Sequence, residues 1–333
     1  MFSVVLGAGI AFMVTVTLGS KFIDYLQVKK FGQFVREDGP QTHLVKSGTP
    51  TMGGVLILVG LLAALIVVAR PNNFATLTVL LLVSAVAGIG LYDDWQKIST
   101  RRPEGLSVRY KFLLLTLTVV LADFLALRYV GVTQNLIVPG WDRNLVLGTG
   151  IIGIALFSGF LLLVIVGTTN AVNLTDGLDG LAAGAGSISL LVYTAIAFLE
   201  RQYDVAIVCG AMVGALIGFL WYNSHPAQIF MGDTGSLAIG GVLAAAAILT
   251  KTEMLLPIIG GLFVIEALSV IVQYSVWRLS GRKRRIFKMA PIHHHFEMSG
   301  WQENKIVVRF WILQTAFAST GFVLYYFFLY SKV

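Results

Sequence analysis

The sequence predicts an all-α, polytopic integral membrane protein of about ten transmembrane helices, and three observations carry that prediction. Apolar residues make up 56% of the 333 positions against 12% charged, with a mean hydropathy of +0.81, far from the balance of a water-soluble domain. Those residues fall into runs near the roughly 20 positions that a helix needs to cross a bilayer. The basic residues collect after alternate runs instead of forming one patch.

In chain order, the first run, residues 2–20, lacks a basic segment before it and has Lys21 after it. That is the reverse of a cleavable signal peptide, so it reads as a span. Further spans are expected at 51–69, 74–92, 111–130, 146–168, 181–199, 205–222, 236–250, 254–277 and 306–330, each an apolar run between polar breaks. Between the fourth and fifth, Leu136–Val138 and Leu145–Leu147 flank a Pro139-Gly140 turn, which predicts a small external β-hairpin near 136–147. Small residues in Gly180–Gly186 and Gly210–Gly218 allow helices to approach closely in lipid. There is no repeat or low-complexity linker, so residues 1–333 read as one membrane-embedded domain.

Loops after the odd-numbered spans carry 18 of the 24 Lys and Arg residues, leaving Arg70, Arg128, Arg143, Arg201, Lys251 and Lys332 on the other side. The positive-inside rule then puts both termini outside and the odd loops in the cytoplasm. The formal charge of +7 follows from topology and does not call for nucleic acid as a partner. Cys209 is the sole cysteine, which excludes an internal disulfide and argues against a thiolate metal site.

Polar side chains without a packing role gather on that same cytoplasmic side. Asp93 and Asp94 follow the third span, with Lys97 close behind. If the helix continues there, neighbouring carboxylates point about 100° apart and serve different partners; an acidic pair ending a helix among headgroups is the plain alternative. Asn170, Asn173, Asp176 and Asp179 punctuate Asn170–Gly180 ahead of the sixth span. A cap accounts for one such residue but not for the set, and paired amides suit a nucleobase or sugar. Asp233, in Phe230–Leu237, reads either as a cap of the eighth span or as a hard oxygen ligand of the kind Mg²⁺ takes beside substrate phosphates. Phe230 reads as an interfacial anchor or a base-stacking platform. His293, His294 and His295 cannot all converge on one ion if helical, so phosphate contact is the better reading. Arg282–Arg285 reads as a topology anchor. Asp123 and Glu266, acids inside spans, are functional candidates of lower rank.

The ordered set Gly48–Gly54, Asp93-Asp94 with Lys97, Asn170–Gly180, Phe230–Ser236 and Pro291–Glu297 closely resembles the polyprenyl-phosphate N-acetylhexosamine-1-phosphate transferase superfamily, nearly end to end. The histidine segment resembles its muramoyl-pentapeptide branch. The resemblance implies a ten-helix homodimer in the bacterial inner membrane, with its active site on the cytoplasmic face. It implies the synthesis of lipid I from UDP-MurNAc-pentapeptide and undecaprenyl phosphate, with Mg²⁺ as cofactor and UMP released. It further implies Asp233 as metal ligand, Asp93 as base on the acceptor phosphate and Asp94 as its support, with Lys46, Lys97 and Lys111 as cations near phosphates. A route through an aspartyl intermediate stays open. On the substrate side it points to Lys46, Thr51, Asn170, Asn173, Asp176, Asp179, Asn223, Phe230 and Gln273, with the three histidines marking the sugar-peptide end. A transporter would instead concentrate its polar groups near the midplane, and a sibling transferase for another sugar would differ at the histidines.

Overall fold

The computed structural model describes residues 1–29, 31–32, 48–69, 74–100, 105–125, 130, 133–141, 145–148 and 150–332. The fold is helical almost throughout. The long helices are α1 (Phe2–Val28), α2 (Gly54–Val68), α3 (Phe74–Thr100), α4 (Val108–Leu125), α5 (Gly150–Thr175), α6 (Leu181–Leu199), α7 (Tyr203–Asn223), α8 (Gly232–Leu249), α10 (Gly261–Leu279) and α12 (Glu303–Phe328). Short helices α9 (Leu256–Ile259) and α11 (Ile292–Glu297) sit between them. The expected hairpin is present as β1 (Asn135–Leu136) and β2 (Leu145–Val146), paired antiparallel with Leu136 opposite Leu145.

Eight of the described helices are long and apolar enough to cross a membrane. α2, at 15 residues, is short of a full span, and α4 carries Arg109, Lys111 and Asp123. Several boundaries differ from the hydropathy reading in one way: the helices run on into polar sequence. α3 continues past Asp93 and Asp94 to Thr100, and α5 continues past Asn170 and Asn173 to Thr175. Hydropathy marks where lipid ends, whereas the helical backbone ladder runs on past that point into polar sequence. The expected span 254–277 is interrupted at Gly260, after α9 with its early Pro257.

α8 is the axis of the bundle: 89% of its apolar window is enclosed by protein, against 22% for α1 and for α10, whose outer faces are left to lipid. α8 packs on α3 and α5, while α7 packs on α1 and α6. Small residues set the closest approaches. A methyl on Gly90 of α3 would lie 2.4 Å from the backbone oxygen of Asp233, and one on Gly54 of α2 would lie 2.1 Å from the backbone nitrogen of Gly235. Backbone cannot yield as a side-chain tip can.

A matched pair of variants tests this. Gly90→Ala is expected to push α3 off α8, lowering the unfolding midpoint in detergent by about 4 °C or more together with turnover. Gly88→Ala, whose methyl meets open space, is expected to be neutral or slightly stabilising, since alanine suits a helix better than glycine. Equal melting of the two variants would remove the close-packing argument.

Candidate active site

The candidate side chains lie at one end of the bundle: the C-terminal ends of α3, α5 and α7 and the N-terminal ends of α4, α6, α8 and α12. The opposite end is tied by unrelated contacts. Tyr325 donates to Glu200 at 2.6 Å, Gln202 donates to the Leu249 carbonyl at 3.0 Å, and Lys251 reaches the Thr133 carbonyl beside the hairpin at 2.8 Å.

At the centre of the first end stand three carboxylates and two lysines. Asp93 and Asp94 are both buried. One oxygen from each of Asp93, Asp94 and Asp233 falls within 4.8 Å of the others. The continued helix puts Asp93 and Lys97 one turn apart, with Nζ 2.6 Å from Oδ2 of Asp93 and 3.3 Å from Oδ1 of Asp233. Lys111, at the start of α4, reaches Oδ2 of Asp233 at 2.6 Å. The backbone N–H of Leu106 donates to Oδ1 of Asp93 at 2.7 Å. Gly105 permits that approach, since a side chain there would lie 2.5 Å from the same oxygen. Asn173 donates to Oδ1 of Asp233 at 2.9 Å and contacts the Ser236 hydroxyl at the same distance. Three carboxylates against two ammonium groups leave the cluster one negative charge.

Asp94 has a different task. Its oxygens accept from the backbone N–H of Asp233 and of Thr234, each at 3.0 Å, and from the Thr234 hydroxyl at 2.7 Å. It therefore caps α8 from α3, satisfying N–H groups that a helix start leaves free and placing negative charge at the positive end of the dipole. Gly232, at φ +74, makes the tight entry at little cost. Because Asp94 caps α8, the Asp233 side chain is released toward Lys97, Lys111 and Asn173.

A second group adjoins the first. In the turn after α5, burial pushes the Asp176 carboxyl well above the usual carboxylate range, reinforced by Asp233, Asp94 and Asp179 and opposed by Lys97. The residue keeps part of its surface open, and its backbone N–H donates to the Asn173 carbonyl at 3.2 Å. Oδ2 of Asp179 lies 2.9 Å from Nδ1 of His225 and accepts from Ala227 N–H at 3.1 Å. Glu303 accepts from the Asp179 N–H at 2.8 Å and lies 3.3 Å from His225. Asn223 is spent on backbone, accepting from Gly180 N–H and donating to the Ile229 carbonyl. Asn170 donates to the Val166 carbonyl of its own helix. The segment holding Thr51 is laced to Phe230: Phe230 N–H donates to the Pro50 carbonyl and Gly53 N–H to the Phe230 carbonyl, each at 2.8 Å. Phe230 itself is half-buried. Lys46 lies outside the described residues.

The histidines diverge, as the helical rotation of α11 requires. His293 is buried against Glu266, His294 Nδ1 lies 3.0 Å from Glu297, and His295 Nδ1 accepts from the Lys288 N–H. A methyl on Gly177 would lie 2.2 Å from Nε2 of His293, so α11 abuts the Asp176 turn. Gln273 is pinned to the basic loop through Ile286 and Phe287. His225 and Glu303 drew no notice in the sequence, because a lone histidine and a first-turn glutamate carry no periodic or motif signal. Asp123 is far from this cluster. It is bonded to Ser158 and lines an apolar cavity of about 20 Å³, room for about one water.

The sequence profile of glycosyl transferase family 4 matches residues 76–251, and phospho-N-acetylmuramoyl-pentapeptide-transferase signature 1 matches residues 46–58. The chain is 76% identical over 333 residues to the phospho-N-acetylmuramoyl-pentapeptide-transferase of Rubrobacter xylanophilus, covering 100% of both chains. Against the enzyme of the same name from Geobacillus kaustophilus it is 46% identical over 322 residues, 96% of this chain and 97% of the other. Against that of Desulfotalea psychrophila it is 46% identical over 324 residues, 92% and 89%. The carboxylate–lysine cluster lies wholly within the matched region, and the chain belongs to the phospho-N-acetylmuramoyl-pentapeptide-transferase family.

Proposed function

We propose that the Asp93–Asp94–Asp233 cluster transfers phospho-MurNAc-pentapeptide from UDP-MurNAc-pentapeptide to undecaprenyl phosphate, forming lipid I and UMP. The convergence of three carboxylates and two lysines at one end of a membrane bundle supports this reading. An oxygen of the acceptor phosphate attacks the sugar-bearing phosphorus, and the bond from that phosphorus to the UMP oxygen breaks. Every participant is anionic, so repulsion and positioning limit the rate. Lys97 and Lys111 hold fixed positive charge where the phosphates must lie. Asp93 takes the proton of any acceptor that arrives protonated. Asn173 holds the Asp233 carboxylate in place, and Asp94 holds the start of α8.

The residues fit Mg²⁺: hard carboxylate oxygens from two helices within 4.8 Å of one another, with net negative charge and no sulfur donor. Asp233 would hold the ion, which when bound screens the pyrophosphate charge and the departing UMP. Asp176 hydrogen-bonds the uridine or sugar side, with Asn173 one turn away, and Thr51 and Phe230 serve the same substrate. Asp176→Asn keeps the shape and a hydrogen-bonding head group and is expected to hold KM for the nucleotide substrate within about threefold, while Asp176→Ala raises it about tenfold or more. Steady-state titration of that substrate decides between them.

The enzyme works as a homodimer in the bacterial inner membrane, a single domain of ten spans with both termini outside and the site facing the cytoplasm. The 18-to-6 division of basic residues supports that orientation. Cysteines placed singly at the exposed Ser99, Ser224 and Ser299 are expected to react with impermeant maleimide only in inverted vesicles. Labelling in intact cells would overturn it. The whole reading is tested by purified protein with UDP-MurNAc-pentapeptide, undecaprenyl phosphate and Mg²⁺, followed by UMP release; no release would sink it.

A further inference from the structure

Glu266 lies in α10, fully buried, with Oε1 3.1 Å from Nδ1 of His293, which is itself fully buried at the start of α11. Neither side chain has a structural excuse. Their polar contact is with each other, at 3.1 Å and poorly aligned, while the second Glu266 oxygen and Nε2 find no hydrogen-bond partner among the described residues, a costly state for buried groups. An apolar pair of the same shape would pack α10 against α11 at lower cost.

The geometry shows what the pair achieves. With Nδ1 turned to Glu266, the other ring nitrogen, Nε2, is pressed toward Gly177, where even a methyl would lie 2.2 Å away. Gly177 follows Asp176 directly. The His294 ring packs against it at a tilt of 60°, its centre 4.1 Å from that of His293. A carboxylate behind one imidazole nitrogen sets the rotation of the ring and selects which nitrogen carries the proton, so the far nitrogen presents a defined face.

We propose that Glu266 is a positioning residue of the transfer reaction, acting through His293 to aim Nε2 at the turn that carries Asp176. This rests on the placement of His293 in the machinery, and the experiment separates the two. A purely structural role predicts that removing the acceptor without changing shape is harmless to turnover or harmful to folding. A positioning role predicts the reverse.

The full chain in lipid would be compared as wild type, Glu266→Met, Glu266→Gln, His293→Ala and the double variant Glu266→Met with His293→Ala, recording kcat, KM for both substrates and the melting midpoint. Met matches Glu in length but cannot accept, so Glu266→Met is expected to keep its midpoint within about 3 °C and lose kcat about 100-fold. KM for the prenyl phosphate should move by less than about threefold. Gln retains an acceptor oxygen for Nδ1–H and is expected to recover most of that loss. In the His293→Ala background Glu266→Met should cost nothing further, because coupled residues fail to add. Losses that multiply in the double variant, a Gln variant no better than Met, or a Glu266→Met enzyme within about threefold of wild type beside a crippled His293→Ala would each overturn the positioning role alone. A fully active His293→Ala would remove both the histidine and Glu266 from the chemistry.

Discussion

Asp233→Ala is expected to lose transfer by about a thousandfold or more at saturating substrates, the range seen when the charge that stabilises a developing oxyanion is taken away. Three features make this the largest effect. Asp233 holds Lys97 and Lys111 at 3.3 and 2.6 Å, so its loss scatters the cations as well as the proposed metal ligand. It also accepts from Asn173, whose orientation goes with it. The third feature separates chemistry from folding: α8 is capped by Asp94, so the helix start survives the substitution. The variant should therefore melt close to wild type while being inactive. Asp94→Ala should lose both, because removing a cap costs about 1–2 kcal/mol in addition to stranding the Thr234 hydroxyl. Turnover of Asp233→Ala within tenfold of wild type, anywhere in an Mg²⁺ titration, would refute the assignment.

Asp93→Asn carries the second largest effect, and its size should depend on pH. A phosphate monoester has a second pKa near 6, so below that pH the acceptor arrives protonated and needs a base, while above it most acceptor is already dianionic. If Asp93 only removes that proton, the variant should be about 100-fold or more deficient at low pH and recover part of the loss as pH rises. The amide can still accept from the Leu106 N–H, which keeps the loop after α3 in place. If Asp93 is instead a covalent nucleophile, no pH restores activity, since an amide forms no acyl phosphate. The measurement is kcat against pH for both proteins at saturating Mg²⁺. A deficit that stays constant across the range would leave the nucleophilic or purely electrostatic roles and remove the base.

Asp94 shows how a motif hides two functions. In the sequence the adjacent acids are indistinguishable, and Asp233 reads equally well as the cap of its own helix. In the fold α3 runs on through both residues, so they face different neighbours. Asp94 meets the start of α8 and takes over the capping, which frees Asp233 for the lysines. The Lys111–Asp233 pair joins residues 122 positions apart and the Asp94–Thr234 bond residues 140 apart. No local pattern encodes either.

By itself the sequence determined the membrane character, the helical class, the hairpin, the family resemblance and the chemical types gathered after the odd spans. Each of these is a sum over neighbouring residues: transfer of a run of side chains into lipid, a turn at Pro139-Gly140, charge counted loop by loop. What only the tertiary structure decided is which group each site residue answers to. Asn223 is committed to backbone, Asp179 to His225 and Glu303, and Glu266 to His293. Hydropathy also stopped α3 and α5 too early, because it measures contact with lipid, whereas the helical backbone ladder runs on through polar residues. Partner choice depends on which backbones come within a few ångströms, and that is set by Gly54, Gly90 and Gly177, where the absence of a side chain lets distant segments meet.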